Sequence, residues 1–136
     1  MSVVKELLRS EENNTISFGN YELRDKKKVE DFSHMGDIYK VKTFEEITKL
    51  EKNGMFLYES VPGTTVHEFS ETAEGVSFLA EGAHSTQVTV GLKEDAEYEV
   101  FLQGNSIGKV KTNLSGKLNL SIDLKTEDVE VKIIEA

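Results

Sequence analysis

Three histidines, His34, His67 and His84, are the side chains best suited to metal binding or to proton transfer near neutral pH, and the sequence scatters them. No two stand at H-x-x-x-H spacing, and there is no cysteine to complete a thiolate set. No zinc signature is therefore present, and neither a metal nor a cofactor is expected. Gly104-Asn105-Ser106-Ile107-Gly108 matches G-x-S-x-G. A nucleophilic serine on that motif needs a strand-to-helix turn to lift its hydroxyl into a site. Here alternating segments flank it on both sides, so a hairpin is expected instead. Carboxylates are abundant, and Glu97 and Glu99 lie two apart. On a strand that spacing places both on one face, opposite Tyr98, Val100 and Leu102, which describes a solvated face rather than two acids held across a sugar. No catalytic constellation emerges, and no enzymatic activity is expected.

Binding surfaces are the other chemistry to look for. The chain has 4 Tyr and 7 Phe but no Trp. Phe18, Phe56, Phe78 and Tyr98 occupy positions expected to be buried. Tyr21, Tyr39 and Tyr58 are candidates for a platform on which a sugar ring could stack; the competing account is a buried ring with its hydroxyl at the surface. A second candidate surface is Val3, Val4, Leu7 and Leu8, which would dock either on the body of the chain or on a second copy. Met55-Phe56-Leu57-Tyr58 is apolar on both sides and calls for cover on both.

Size and charge bound what these residues can belong to. The chain is 136 residues long with a net charge of -9. Nucleic acid and anionic membrane both require a basic footprint, so neither is expected as a partner. No apolar run approaches the roughly 18 residues of a membrane span. Met1 to Arg9 lacks the basic start, long apolar run and small-residue cleavage site of a secretion signal, and a cytoplasmic location is expected. Residues 1–52 hold 10 basic and 11 acidic residues, whereas residues 53–136 hold 6 and 14. The second part is also richer in Gly, Val and Thr. One domain over residues 1–136 is expected, with a mixed sub-region 1–52 and a β-sandwich sub-region 53–136, since no linker divides them.

The elements follow from periodicity. Val4, Leu7 and Leu8 fall at helical spacing after Ser2, which predicts a short N-terminal helix. Gly19-Asn20 predicts a tight hairpin between Thr15–Phe18 and Tyr21–Leu23. Thr43 and Glu46 form a capping-box pattern, Phe44, Ile47 and Leu50 recur every three residues, and Asn53-Gly54 supplies a left-handed stop. These predict one short α-helix at about 44–52. Beyond it, alternating segments separated by Gly and Asn turns predict strands every eight to twelve residues, hence an antiparallel β-sandwich or a jelly-roll-like arrangement. The cleanest is Leu118-Asn119-Leu120-Ser121-Ile122-Asp123-Leu124, apolar on one face and polar on the other. Leu118, Leu120, Ile122, Val100, Tyr98, Val129, Val131 and Phe78 are expected in one core.

The stretch from Tyr98 to Leu124, with its pattern Tyr98-x-Val100, Gly104, Gly108, Thr112-Asn113 and Gly116-x-Leu118, resembles the last strands of small β-sandwich modules appended to polysaccharide-active enzymes. The segments Thr15–Leu23, Tyr39–Phe44 and Tyr58–Gly63 are similar to those of small clostridial-type proteins sometimes labelled endosialidase-like. The first resemblance implies a sandwich and, as one function, carbohydrate binding. The second does not bring sialidase activity with it: that chemistry needs a multi-bladed propeller, substrate-binding arginines and Trp-containing boxes, and this chain has two arginines, Arg9 and Arg24. The expected function is a non-enzymatic structural or interaction protein that forms a homo-oligomer. The alternative is a small carbohydrate-binding module with a glycan ligand.

Overall fold

The computed structural model describes residues 3–124 and 128–136. It is an all-β sandwich of two antiparallel sheets. The first sheet has seven strands in the order β1 (Leu8–Ser10), β2 (Ile16–Phe18), β7 (Thr65–Thr72), β8 (Gly75–Glu81), β13 (Val129–Glu135), β10 (Glu97–Leu102) and β11 (Asn105–Lys111). The second has six, in the order β12 (Lys117–Ile122), β9 (Thr86–Gly91), β6 (Met55–Val61), β5 (Ile47–Lys52), β4 (Asp37–Phe44) and β3 (Lys27–His34). Residues 1–52 supply strands to both sheets, and residue 52 falls within the β5–β6 hairpin.

The predicted core is present. Leu118, Leu120, Ile122, Val100, Tyr98, Val129, Val131 and Phe78 are all buried in one cluster, while Asn119 and Ser121 face out. At its centre the rings of Phe18, Tyr58, Phe69 and Phe78 pack edge-on or stacked, with centroids 5.3–6.4 Å apart. Such pairs add about 0.5–1.5 kcal/mol each beyond the area they bury.

Three sequence-based expectations are corrected. There is no helix among the described residues. The segment expected as a helix at 44–52 is the end of β4, a Glu45-Glu46 turn and β5, with Phe44 paired to Ile47 and Thr43 to Thr48. Its buried positions are Tyr39, Val41, Thr43, Thr48 and Leu50, whereas Phe44 and Ile47 are only half-buried. The period is thus two, disguised because two of the core positions are threonines. Asn53 and Gly54 both have positive φ and close the β5–β6 hairpin between Lys52 and Met55. A left-handed Asn-Gly pair serves a hairpin of this kind as readily as a helix stop.

The expected N-terminal helix is likewise absent: residues 3–7 form a turn leading into β1, with Leu7 at φ 72°. A run this short cannot repay helix nucleation unaided, and its amide groups bond elsewhere, Val4 N–H to the Gly19 carbonyl and Gly19 N–H to that of Leu7. Finally, Gly19-Asn20 does not close a hairpin. β2 pairs with β1 and β7, and the chain after Gly19 crosses to the second sheet.

Candidate functional site

The tyrosines considered as a sugar platform lie apart. Tyr58, on central β6, is fully buried, and its hydroxyl lies 2.9 Å from that of Thr64. Burial pushes its phenol up to about 12. Tyr39 is buried on β4, its ring 5.9 Å from that of His34. Only Tyr21 keeps a half-exposed ring, in the turn before β3. Its hydroxyl donates to Glu81 Oε2 at 3.2 Å, and its phenol is pushed up to about 12, first by burial and then by the Glu81 charge. Burial likewise raises the Glu81 carboxyl, with Asp128 adding to the effect. Tyr21 lines a cleft of about 630 Å³ together with Glu45, Glu46, Pro62, Gly63 and His84. Tyr39 lines a different one beside Asn14 and His34, so the three rings form no shared face.

The apolar N-terminal residues pack on their own chain. Val4 and Leu8 are buried, Val3 and Leu7 half-buried. His34 bridges two hairpins, with Nδ1 2.8 Å from Ser10 Oγ and Nε2 donating to the Asn14 carbonyl at 3.0 Å. His67 is buried on β7 and His84 exposed after β8. Among the described residues no three His, Asp or Glu side chains are placed to hold a metal ion. Ser106 of G-x-S-x-G is the second residue of β11, which follows a two-residue turn, Gln103-Gly104, and its hydroxyl donates to Glu99 at 2.6 Å. The motif is a hairpin, as its flanks predicted.

Sheet edges are where this fold offers unused bonding capacity. An edge strand presents backbone donors and acceptors to any passing chain, and natural sheets blunt such edges with short strands, lysines and bulges. β1 is three residues long, and its Ser10 is tied to His34. β3 carries a bulge between Val29 and Phe32, with Asp31 at φ 58°, and charges at Lys27, Lys28 and Glu30. β11 has an irregular register opposite Val100 and Phe101, Gly108 at φ 112°, and Lys109 and Lys111 along it.

β12 is neither bulged nor as short as β1, and its one lysine, Lys117, stands at its first residue. It runs in unbroken register with β9, from Lys117 opposite Gly91 to Ile122 opposite Thr86. Beyond Lys117, the outer strip it makes with β9 is uncharged: the Gln87 amide donates to Ser121 Oγ at 2.7 Å, and the Thr89 hydroxyl to Asn119 Oδ1 at 2.6 Å.

One hydrogen bond fixes which backbone groups of β12 face outward. Leu92 N–H donates to the Gly116 carbonyl at 2.7 Å, one residue before the strand begins. Antiparallel ladders alternate, so Leu118, Leu120 and Ile122 turn their backbone groups to β9. Lys117, Asn119 and Ser121 turn theirs to the open side. Those of Lys117 are taken by a turn: its N–H donates to Asn113 Oδ1 at 3.0 Å, and its carbonyl accepts from Asn113 N–H at 3.1 Å. Asn119 and Ser121 thus form the open part of the edge. The sequence shows the alternation of this strand but not its place at the end of a sheet, which depends on pairings between residues far apart in the chain.

No family model, no curated protein and no solved structure matches this chain.

Proposed function

We propose that the chain is a non-enzymatic interaction module that associates with copies of itself through its β-sandwich body. The observation that carries this reading is the unequal treatment of the four sheet edges: three are blunted, and the fourth, β12, is regular, uncharged at its centre and open. The N-terminal apolar residues support it less, because Val4 and Leu8 are buried in their own chain and Val3 and Leu7 are already half-buried there. The test is solution mass. Light scattering from low micromolar to sub-millimolar concentration is expected to show a multiple of 15.2 kDa that dissociates on dilution. A single 15.2 kDa species throughout that range overturns the reading.

The second reading, a carbohydrate-binding module, has one observation in its favour: Tyr21 keeps a half-exposed ring on the wall of an open cleft. Glycan-array binding lost in Tyr21→Ala would support it, and an empty array would remove it.

A further inference from the structure

We infer that two copies join edge to edge, β12 against β12 in antiparallel register about a two-fold axis through Leu120, to form one continuous twelve-stranded sheet. This rests on the self-association reading above and assigns its joint.

The register follows from which groups are open. A symmetric antiparallel pairing centred on Leu120 sets Asn119 of one copy opposite Ser121 of the other, and the same again across the axis. Both residues turn their backbone N–H and C=O outward, so each facing pair exchanges two hydrogen bonds. Moving the axis to Asn119 would require the backbone of Lys117, which the Asn113 turn already occupies. Moving it to Ser121 would set the open backbone groups of Asn119 against those of Asp123, beyond the end of the strand at Ile122, whereas the Leu120 axis keeps both hydrogen-bonded pairs inside it.

Charge and side-chain chemistry agree with the same register. With Leu120 at the axis, Lys117 of each copy lies opposite Asp123, the residue that follows the strand, of the other; the Lys117 ammonium, which stands 4.6 Å from the Phe56 ring within its own chain, turns from that ring to the edge in the pairing and meets an opposite charge at each margin. The strip between them is neutral, with the Asn119 side chain of each copy facing the Ser121 side chain of the other. The contact therefore brings together a stretch of a strongly acidic chain that carries no net charge, and avoids the repulsion that its net -9 would impose on a contact between acidic faces. Closed two-fold symmetry uses both open edges and leaves none to propagate into a fibre. A foreign strand would satisfy the backbone equally well, but nothing in it would be bound to match Lys117 and Asp123 at this spacing.

The chain has no cysteine, so engineered thiols report the register directly. In the proposed pairing Asn119 and Ser121 of opposite copies have Cα atoms about 5.5 Å apart, within disulfide reach, whereas two copies of either residue are offset beyond about 7 Å. An equimolar mixture of Asn119→Cys and Ser121→Cys is expected to give a disulfide-linked dimer under mild oxidation, and neither variant alone is. Lys117→Asp should weaken the wild-type association about tenfold, equivalent to about 1.4 kcal/mol, and Lys117→Asp/Asp123→Lys should restore it. Ser121→Pro, at a position whose N–H faces outward, is expected to keep the fold and abolish pairing; Ser121→Lys serves the same purpose should the proline disturb the strand. An oligomer by mass that gives no mixed disulfide and survives both Ser121 variants overturns this joint while leaving self-association standing. A wild-type chain that is monomeric at every concentration overturns both.

Discussion

Thr43 and Thr48 face each other across the β4–β5 hairpin with their hydroxyl oxygens 2.9 Å apart, and both are fully buried. The direction of each bond can be deduced. Thr48 has one hydroxyl proton and gives it to the Thr64 carbonyl at 2.9 Å, so Thr43 must donate to Thr48. Thr43 in turn accepts from Asn20 N–H at 2.9 Å, and Thr48 also accepts from Thr64 N–H at 3.1 Å. The pair thereby satisfies the backbone of two crossings between the sheets. Valine has nearly the same shape but lacks the hydroxyl. Thr43→Val leaves one buried amide without its acceptor and is expected to cost about 1–3 kcal/mol. Thr48→Val strands both the amide and the carbonyl of Thr64 and should cost more. The double variant should fall well short of the sum, because the two act in one chain of bonds. Urea unfolding of the four proteins measures this.

The same pair shows how far the sequence can be read. Leu118, Leu120 and Ile122 announce their strand because every inward position is apolar. β4 and β5 hide theirs because Thr43 and Thr48 occupy inward positions through hydrogen bonds made to residues far along the chain, and no local pattern records those. Phe44 and Ile47 then take on a helical spacing that their half-burial shows to be incidental. The chain's architecture as a sandwich was legible from turns and alternation. The open edge was not, since strand order is set by pairings such as β12 with β9 and β13 with β8 that join distant segments.

Gly63 lies where the chain leaves β6 for β7, and a Cβ placed there would meet the Phe44 carbonyl oxygen at 2.1 Å. That oxygen belongs to the backbone of β4 and cannot swing away. Gly63 N–H also donates to the Glu45 carbonyl at 3.0 Å, which holds the two segments together. Gly63→Ala must therefore push the β4–β5 turn off the crossing and is expected to cost about 1–3 kcal/mol. Gly82→Ala is the control. Its Cβ would meet the end of the Leu124 side chain at 3.1 Å, which can rotate, so the loss should be clearly smaller. Thermal midpoints that fall equally for the two variants would show that backbone proximity to Phe44 is not what requires glycine at position 63.

Glu11 ties the β1–β2 hairpin to β7. Its carboxylate accepts from the buried Ser17 hydroxyl and from Arg9 Nε at 2.9 Å, and Ser17 Oγ accepts the Glu68 amide at 3.0 Å. The Ser17 hydrogen bond first, and Arg9 second, hold the Glu11 carboxyl below the ordinary value of 4.5. A carboxyl whose value is lowered by folding stabilises the folded chain above its unfolded value, and that contribution is lost as pH falls through the folded one. Glu11→Gln keeps an oxygen acceptor but cannot carry the charge. At neutral pH it is expected to be less stable than wild type by about 1 kcal/mol, the scale of a partly exposed charged hydrogen bond. The gap should narrow as pH drops below 4.5 and close once the wild-type carboxyl is protonated. Denaturation midpoints of both proteins across that range test the sign: a difference that stays constant or widens toward acid would mean that the link through Ser17 does not depend on the charge of Glu11.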